Sequence, residues 1–181
     1  LLFCANAVQN YLNIGIIKTE KETWNELNKL RTQNVVLDDL GSIADKISGN
    51  IDYEVLVEHL SAYGYKSVEM TPTPISKMIF NIGNSYNPKS VADLCCGIGN
   101  ISRFFVYSSD VDAYDINPGC IKLAKKLLPN VNFYNQCIIK SEIKKSYDMV
   151  VTHIPFGFRM AIDGSKKPFE MLVLNKSLSI L

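Results

Sequence analysis

Several features that define common protein classes are absent from this sequence. No apolar run approaches the roughly 18 residues that a membrane-spanning helix needs, and no secretory leader is recognisable. The cysteines include no C-x-x-C pair, so we expect no metal site and interpret them as reduced thiols of a cytoplasmic protein. The formal net charge is only +1, without the basic face that proteins gripping nucleic acid unaided usually have. Any DNA contact is therefore expected to need regions or subunits outside this chain.

Helical character dominates the first part of the chain, and we predict a helical N-terminal region over residues 1–69. The stretch Thr19–Glu22 has the form of a capping box, and apolar side chains follow it at helical spacing: Trp24, Leu27 and Leu30. Further helix signals are the capping acids Asp38 or Asp39, the capping acid Asp52 and the terminating Gly64. Residues 70–181 differ in character and are predicted to form the main domain.

In that second region short apolar strands alternate with helices, without repeats or low-complexity tracts. The predicted strands are Ser90–Leu94, Val111–Ile116, Val131–Ile139 and Tyr147–Thr152. The predicted helices are Ile75–Ile82, Gly119–Leu128 and Glu170–Leu181. Alternation at this spacing is typical of a mainly parallel sheet with right-handed crossovers, so we predict an α/β, Rossmann-like fold. Four strands are few for such a sheet.

The strongest local pattern is a glycine loop that follows the first predicted strand. Gly97 and Gly99 stand two residues apart, where glycine permits a tight turn and the close approach of a ligand. Asp93 lies at the carboxyl end of the strand itself. Asp115 lies 22 residues further on, at the end of the next strand, where a carboxylate can accept hydrogen bonds from both ribose hydroxyls. The pattern predicts a ligand that contains a nucleoside.

Two features of this loop favour S-adenosylmethionine over a dinucleotide as that ligand. Dinucleotide-binding loops have a third glycine, in the pattern G-x-G-x-x-G, and Ser102 occupies the corresponding position here. Asp93 also stands close before the glycines, where its charge would repel a pyrophosphate. A sulfonium ligand with a cationic amino-acid tail tolerates such an acid, so we predict S-adenosylmethionine as the cofactor.

Four motifs, in the same order, resemble those of the N6-adenine-specific DNA methyltransferases. The similarity is to the modification subunits of type I restriction-modification systems in particular. Met70–Ile79 is similar to the family's F/Y-T-P segment, and Asp93–Asn100 resembles its D-P-x-C-G-S-G glycine motif. Asp115–Pro118 matches the family's acid-[IL]-N-P at the second strand, and Tyr147–Gly157 resembles the strand and loop that carry its catalytic N-P-P-F-G. The resemblance runs from about residue 53 to the C-terminus.

The resemblance implies a role for each residue that matches a family motif. The implied cofactor-binding residues are Thr71, Pro72, Asp93, Cys95, Gly97, Gly99, Asn100, Asp115, Ile116 and Gln136. The implied catalytic residues, which form the site of a flipped target adenine, are His153, Ile154, Pro155 and Phe156. In the family, the asparagine carbonyl and a backbone carbonyl hold the adenine amine, and positioning supplies most of the catalysis. No metal and no covalent nucleophile is implied.

Two positions depart from the family's catalytic motif. His153 replaces its asparagine and Ile154 its first proline. Ile154 keeps a backbone carbonyl, whereas a neutral histidine offers one acceptor nitrogen and a protonated one offers none. A non-catalytic subunit that scaffolds a restriction-modification complex is therefore an alternative. A second is a methyltransferase that acts on another planar nitrogen, such as RNA guanine N2 or a protein glutamine.

The resemblance also predicts partners and further chain. The family's sheet has seven strands, so we expect the fifth to seventh strands and a target-recognition region beyond Leu181. The expected partners are DNA, a specificity subunit or a second copy of the chain, and no membrane.

Overall fold

The computed structural model describes most of the chain in five ranges. These are residues 18–32, 40–48, 51–62, 70–155 and 157–181. Four positions named above lie outside the described residues: Asp38, Asp39, Gly64 and Phe156. No helix within the described ranges is long and apolar enough to cross a bilayer.

The described part of the N-terminal region contains three helices. They are α1 (Glu20–Thr32), α2 (Leu40–Lys46) and α3 (Tyr53–Ala62). The capping box is confirmed, because the Thr19 amide donates to the Glu22 carboxylate at 2.8 Å and the Glu22 amide donates back to the Thr19 hydroxyl at 3.3 Å. The Asp52 cap is confirmed as well, since its Oδ1 accepts from the first amides of α3 at 2.9 and 3.1 Å. Within this part, the Trp24 and His59 rings pack with centroids 5.0 Å apart.

Strands and helices alternate in the second region. In chain order they are α4 (Thr73–Asn84), β1 (Ser90–Leu94), α5 (Ser102–Phe105), β2 (Asp110–Asp115), α6 (Pro118–Leu127), β3 (Asn132–Asn135), β4 (Met149–Thr152), β5 (Arg159–Ile162), β6 (Ser165–Pro168) and α7 (Phe169–Ile180). The main sheet has the order β3-β2-β1-β4, and all three pairings are parallel. The central strand β1 is buried on both faces, as expected of a strand covered by helices on each side. The predicted parallel sheet is confirmed.

The predicted third strand, Val131–Ile139, is too long. Strand β3 ends at Asn135, because a turn follows in which the Lys140 amide donates to the Cys137 carbonyl at 3.1 Å. Ile138 is buried beneath the sheet, so the apolar run reflects burial rather than strand pairing. The fourth strand also begins later than predicted, at Met149 rather than Tyr147.

The structure contains a β-hairpin outside the main sheet that was not predicted from the sequence. Strands β5 and β6 pair antiparallel, joined by Asp163 and Gly164, whose φ angles are 49° and 75°. Two consecutive positive φ angles are typical of a type I′ turn, for which Asp-Gly is a preferred pair. The dipeptide was therefore an available signal, but the flanking strands are short and polar.

The N-terminal helices share a core with the sheet domain. Buried side chains of α2 and α3 lie in one cluster with the buried face of α6 and with Ile98 of the glycine loop. The backbones come close at Gly119, where a Cβ would lie 3.0 Å from the amide nitrogen of Gly41. Lys126 donates from α6 to the Ala44 carbonyl at 2.6 Å. These contacts place α2 alongside α6, from its first turn to its last.

Candidate functional site

The glycine loop leaves β1 in a left-handed conformation. Cys95, Gly97 and Gly99 have φ angles of 62°, 56° and 88°. The Cys96 amide donates to the Tyr114 carbonyl at 2.9 Å, which keeps the loop beside β2. The positive φ at Cys95 is unusual for a residue with a side chain and turns the chain directly after the strand.

Gly99 is required by packing as well as by its φ angle. A Cβ there would lie 2.9 Å from Leu128 Cδ1 and 3.0 Å from Phe133 Cζ. Both neighbours belong to the core around α6 and β3, so this glycine lets the loop sit tightly on the protein interior. The structure thus provides a packing reason for the second glycine, in addition to the ligand approach predicted from the sequence.

Asp115 joins the glycine loop to the helix that follows β2. Its Oδ2 accepts from the Gly97 amide at 2.8 Å, and its Oδ1 accepts from the Asn117 amide at 2.8 Å. Each carboxylate oxygen keeps a further lone pair, because an ionised carboxylate has about four acceptor sites. Burial raises the pKa of Asp115, and the backbone amides oppose that rise. The carboxyl group is therefore fixed in place and able to accept further hydrogen bonds.

Asp93 lies beneath the loop. Its Oδ2 accepts from the hydroxyl of Ser102 at 2.6 Å and from the amide of the same residue at 3.2 Å. The side chain is fully buried, and its Oδ1 has no hydrogen-bond partner among the described residues. Burial raises the pKa of Asp93 to about 7. Ser102, at the position of a dinucleotide loop's third glycine, thus binds this acid.

Thr71 and Asn100 meet on another side of the loop. The Asn100 amide donates to the Thr71 carbonyl, so the segment before α4 is tied to the glycine loop. Both residues are buried, whereas Pro72 is exposed immediately before the first turn of α4. The two motifs that the sequence places about thirty residues apart are therefore adjacent in the fold.

A cavity of about 510 Å³ opens at the carboxyl ends of β1, β2 and β4. Its volume lies within the roughly 300–1,000 Å³ of small-molecule sites. Seven residues predicted for the site line it: Cys95, Gly97, Asp115, Ile116, Gln136, His153 and Pro155. The structure thereby brings the glycine loop, the acid of β2 and the loop after β4 around one space.

Other predicted site residues do not line this cavity. Six of them surround or support it from elsewhere: Thr71, Pro72, Asp93, Gly99, Asn100 and Ile154. Ile154 packs against the apolar cluster of α7 instead. Their assignment to cofactor or base contacts stays a prediction, as does that of Phe156. Among the described residues no group of His, Cys, Asp or Glu side chains has the arrangement of a metal site.

Several lining residues were not predicted from the sequence. They are Tyr114, Asn117, Cys120, Cys137, Ile138, Phe158, Met160 and Phe169. Asn117 carries a recognisable signal, since Asn followed by Pro is typical of a helix start, and its Oδ1 accepts from the Gly119 amide at 2.9 Å. Met160 belongs to the hairpin that the sequence did not predict, and Phe158 directly precedes its first strand, so that wall of the cavity was missed with the hairpin.

Comparison with known proteins identifies the fold. No protein-family profile and no curated protein matches the chain. A solved Listeria monocytogenes protein, assigned to the class I S-adenosylmethionine-dependent methyltransferases, matches with a TM-score of 0.57 and 15% identity. That match covers 76% of this chain and 52% of the other.

Further solved methyltransferases are similar at lower scores. An amino pentose methyltransferase of Micromonospora echinaspora, solved with S-adenosylmethionine, has a TM-score of 0.44 and 16% identity over 54% of this chain and 42% of its own. A Clostridium acetobutylicum S-adenosylmethionine-dependent methyltransferase has a TM-score of 0.44 and 16% identity over 54% and 43%. The chain spans between 36% and 62% of the length of the first structures it matches. The architecture is thus the Rossmann-like fold of the class I S-adenosylmethionine-dependent methyltransferases, as predicted from the sequence.

Proposed function

We propose that this chain binds S-adenosylmethionine and forms the cofactor-binding part of an N6-adenine DNA methyltransferase. One observation carries the proposal: a single cavity is bounded by Asp115 on one side and by the loop of His153 and Pro155 on the other. The first belongs to the motif expected to hold the cofactor, and the second to the motif expected to hold a target base. Methyl transfer requires these two groups to meet within one space.

The residues present fit the proposed cofactor. The remaining lone pairs of Asp115 suit the two ribose hydroxyls. Ile116 is 69% exposed at the cavity wall, although it is a large apolar side chain, and a purine ring would cover it. Gln136 lies at the same wall and offers amide donors and acceptors to the edge of that ring. When bound, S-adenosylmethionine supplies an electrophilic methyl group on a sulfonium.

The loop after β4 would hold the base that accepts the methyl group. In this proposal the carbonyl of Ile154 and a neutral imidazole of His153 accept hydrogen bonds from the exocyclic amine. Those contacts orient the nitrogen lone pair, and no residue needs to form a covalent bond. Pro155 lines the cavity, and the family resemblance assigns to Phe156 the stacking on a base flipped from the duplex. DNA is the proposed partner, together with a specificity subunit or a second copy of the chain, in the cytoplasm.

Calorimetric titration of S-adenosylmethionine into the purified chain tests the cofactor site. We expect binding in the micromolar range or tighter, and we expect Asp115→Asn and Asp115→Ala to weaken it, the alanine variant more. Asn keeps one acceptor, which can serve the Gly97 amide while its NH2 group faces the Asn117 amide, so an unfolding curve that matches the wild type is needed to establish that the loop is retained.

Asp45→Ala is the matched control for those variants. Asp45 is an exposed acid on α2 whose Lys122 partner lies at the surface, and it does not line the cavity. The control is expected to bind like the wild type. If the folded wild type does not bind the cofactor, or if the Asp115 variants bind equally well, the proposal fails.

A second candidate is a cofactor-binding subunit without catalysis, favoured by the replacement of the family's Asn-Pro with His153-Ile154. Labelled methyl transfer to adenine-containing DNA distinguishes the two functions. Transfer by the wild type rejects the second candidate. Transfer only by a His153→Asn, Ile154→Pro double variant supports it. RNA and protein acceptors in the same assay test the nitrogen substrates other than adenine.

A further inference from the structure

The β5–β6 hairpin forms one rim of the cavity. Phe158, directly before β5, and Met160, within it, line the space. The Phe158 carbonyl accepts from the Phe169 amide at 2.9 Å, and the two rings pack edge to face with centroids 5.5 Å apart. The base of the hairpin is thereby anchored to the first turn of α7, and the turn at Gly164 extends away from it.

Positive charge is concentrated on this hairpin. It contains three cations, Arg159, Lys166 and Lys167, and one acid, Asp163. All four are exposed, and within the described ranges none of the three cations forms a salt bridge. By contrast, Lys122 and Lys145 each pair with an acid at 2.7 Å. The hairpin cations therefore keep their attraction for an external anion.

The strand register directs one of these cations to the cavity side. Lys167 is directly opposite Met160, and side chains of paired residues point to the same face of a hairpin. Arg159 and Lys166 belong to the other face, where the Arg159 guanidinium donates to the Lys166 carbonyl at 3.0 Å. A two-stranded ribbon is thin, so cations on both faces contribute to the positive potential at the rim.

An exposed aromatic ring completes the surface. Phe158 remains 51% exposed although it lines the cavity, so half of the ring is open to solvent at the rim. Aromatic rings beside basic side chains are the usual elements of surfaces that bind single nucleic-acid strands. The cations hold the phosphates, and the ring stacks on a base.

We propose that this hairpin contacts the phosphodiester backbone of the substrate strand next to the base that enters the cavity. Lys167 binds a phosphate on the cavity side, with Lys166 adding to the attraction, and Phe158 stacks on a neighbouring base. The inference rests on the proposed function, because it identifies the substrate of that cavity as a nucleic acid. The hairpin also gives the chain a basic surface of its own, which the net charge of +1 does not indicate.

Fluorescence anisotropy with short labelled single-stranded oligonucleotides tests the hairpin, using the full chain without cofactor. The variants are Lys166→Ala/Lys167→Ala and Phe158→Ala. The charge-matched control is Lys21→Ala/Lys125→Ala, which removes two exposed lysines of α1 and α6 that do not line the cavity. Affinity is measured across a salt series for DNA, for RNA and for polyglutamate labelled in the same way.

The wild type is expected to bind DNA or RNA with an affinity that falls as salt rises. Each phosphate contact contributes about 0.7 to the logarithmic salt slope on single strands, so the hairpin double variant should lose about 0.7 from that slope through the Lys167 contact. The Phe158→Ala variant should bind about fivefold or more weakly with the slope unchanged. The control should match the wild type in both respects.

Three results would overturn the inference: no oligonucleotide binding at low salt, equal slopes for the hairpin variant and the control, or polyglutamate bound as well as nucleic acid. Preference between DNA and RNA identifies the substrate strand. The anisotropy assay contains no cofactor. Its result therefore tests the hairpin even if calorimetry detects no binding of S-adenosylmethionine. Lys166 and Lys167 do not line the cavity, so their double variant is expected to bind S-adenosylmethionine normally.

Discussion

Among individual side chains, Asp93 and Asp115 illustrate how environment separates two similar acids. Both were predicted to bind the cofactor, and both have a raised pKa because of burial. Asp115 faces the cavity with two backbone donors, whereas Asp93 is fully buried and bound to Ser102. Asp115 is thus available to a ligand, while Asp93 supports the loop from below.

The raised pKa of Asp93 predicts a pH-dependent stability. Below pH 4 the acid is protonated in both the folded and the unfolded chain, so its burial has no ionisation cost. As pH rises from about 4 towards 7, the unfolded chain loses the proton first, and the folded state is progressively destabilised. The shift from 3.8 to about 7 corresponds to a loss on the order of 4 kcal/mol, complete above pH 7.

Asp93→Asn removes that titration while its carbonyl still accepts from Ser102. We expect the free energy of unfolding of the variant, relative to wild type, to rise between pH 4 and 7.5 in urea titrations at each pH. The wild type serves as the internal reference, since the other titrating groups are common to both proteins. A constant difference across that range would show that Asp93 is ionised with an ordinary pKa.

The position of Asp115 could be predicted from the sequence, whereas the contacts of Asp93 and Gly99 could not. Asp115 could be placed because a strand end followed by Asn-Pro fixes the position of the carboxylate at the sheet edge. That Asp93 binds Ser102 could not be read from the sequence, because the contact depends on how the loop folds back over β1. The tight contacts at Gly99 likewise come from Leu128 and Phe133, which are distant in sequence.

Among the elements, helix α6 begins at a side-chain cap, Asn117. The Asn117 side chain accepts from the Gly119 and Cys120 amides at 2.9 and 3.3 Å, and its backbone amide binds Asp115. The helix therefore begins against the cavity wall, with its first amides satisfied by the chain itself.

Asn117→Ala should lower the free energy of unfolding by about 1 kcal/mol, because the first-turn amides lose their acceptor. Asn117→Ser is the matched variant, since its hydroxyl can still cap the helix and should retain most of the stability. Urea denaturation of the three proteins measures the difference. Equal stability of the alanine and serine variants would contradict the cap.

The elements themselves were predicted unevenly, for identifiable reasons. Strand β1 begins and ends as predicted, because an apolar run lies between a turn and the glycine loop. Strand β3 is shorter than predicted, because periodicity does not separate a buried turn residue such as Ile138 from a strand. The hairpin has few apolar residues, so its Asp-Gly turn was the one sequence signal that could have predicted it.

For the molecule as a whole, the N-terminal helices reach the glycine loop through a tyrosine hydroxyl. The Tyr53 hydroxyl, at the start of α3, donates to the Ile98 carbonyl at 2.6 Å. Burial raises the pKa of this phenol above its usual range, so it stays a neutral donor. Arg103 covers the Tyr53 ring at 4.5 Å and lies 3.5 Å from Glu54. Local sequence patterns predicted these helices but could not indicate this contact.

Tyr53→Phe removes only the hydroxyl and leaves the Ile98 carbonyl without its donor. The expected cost is about 1–3 kcal/mol in the free energy of unfolding. Affinity for S-adenosylmethionine should fall severalfold, although Tyr53 does not line the cavity. Tyr86→Phe is the control, because Tyr86 is 77% exposed. Unchanged stability and affinity of the Tyr53 variant would mean that the N-terminal helices do not hold the loop.

The packing of Trp24 on His59 has a practical consequence. Trp24 is the chain's one tryptophan, so its emission reports the helical end alone. Far-UV circular dichroism, by contrast, reports the helices and strands of both ends together. The protein thus carries a natural local probe on the helical side of the α2–α6 contact, which can be compared with a signal from the whole fold. Superimposable unfolding curves from the two signals would establish that both ends melt as one cooperative unit, without any added label.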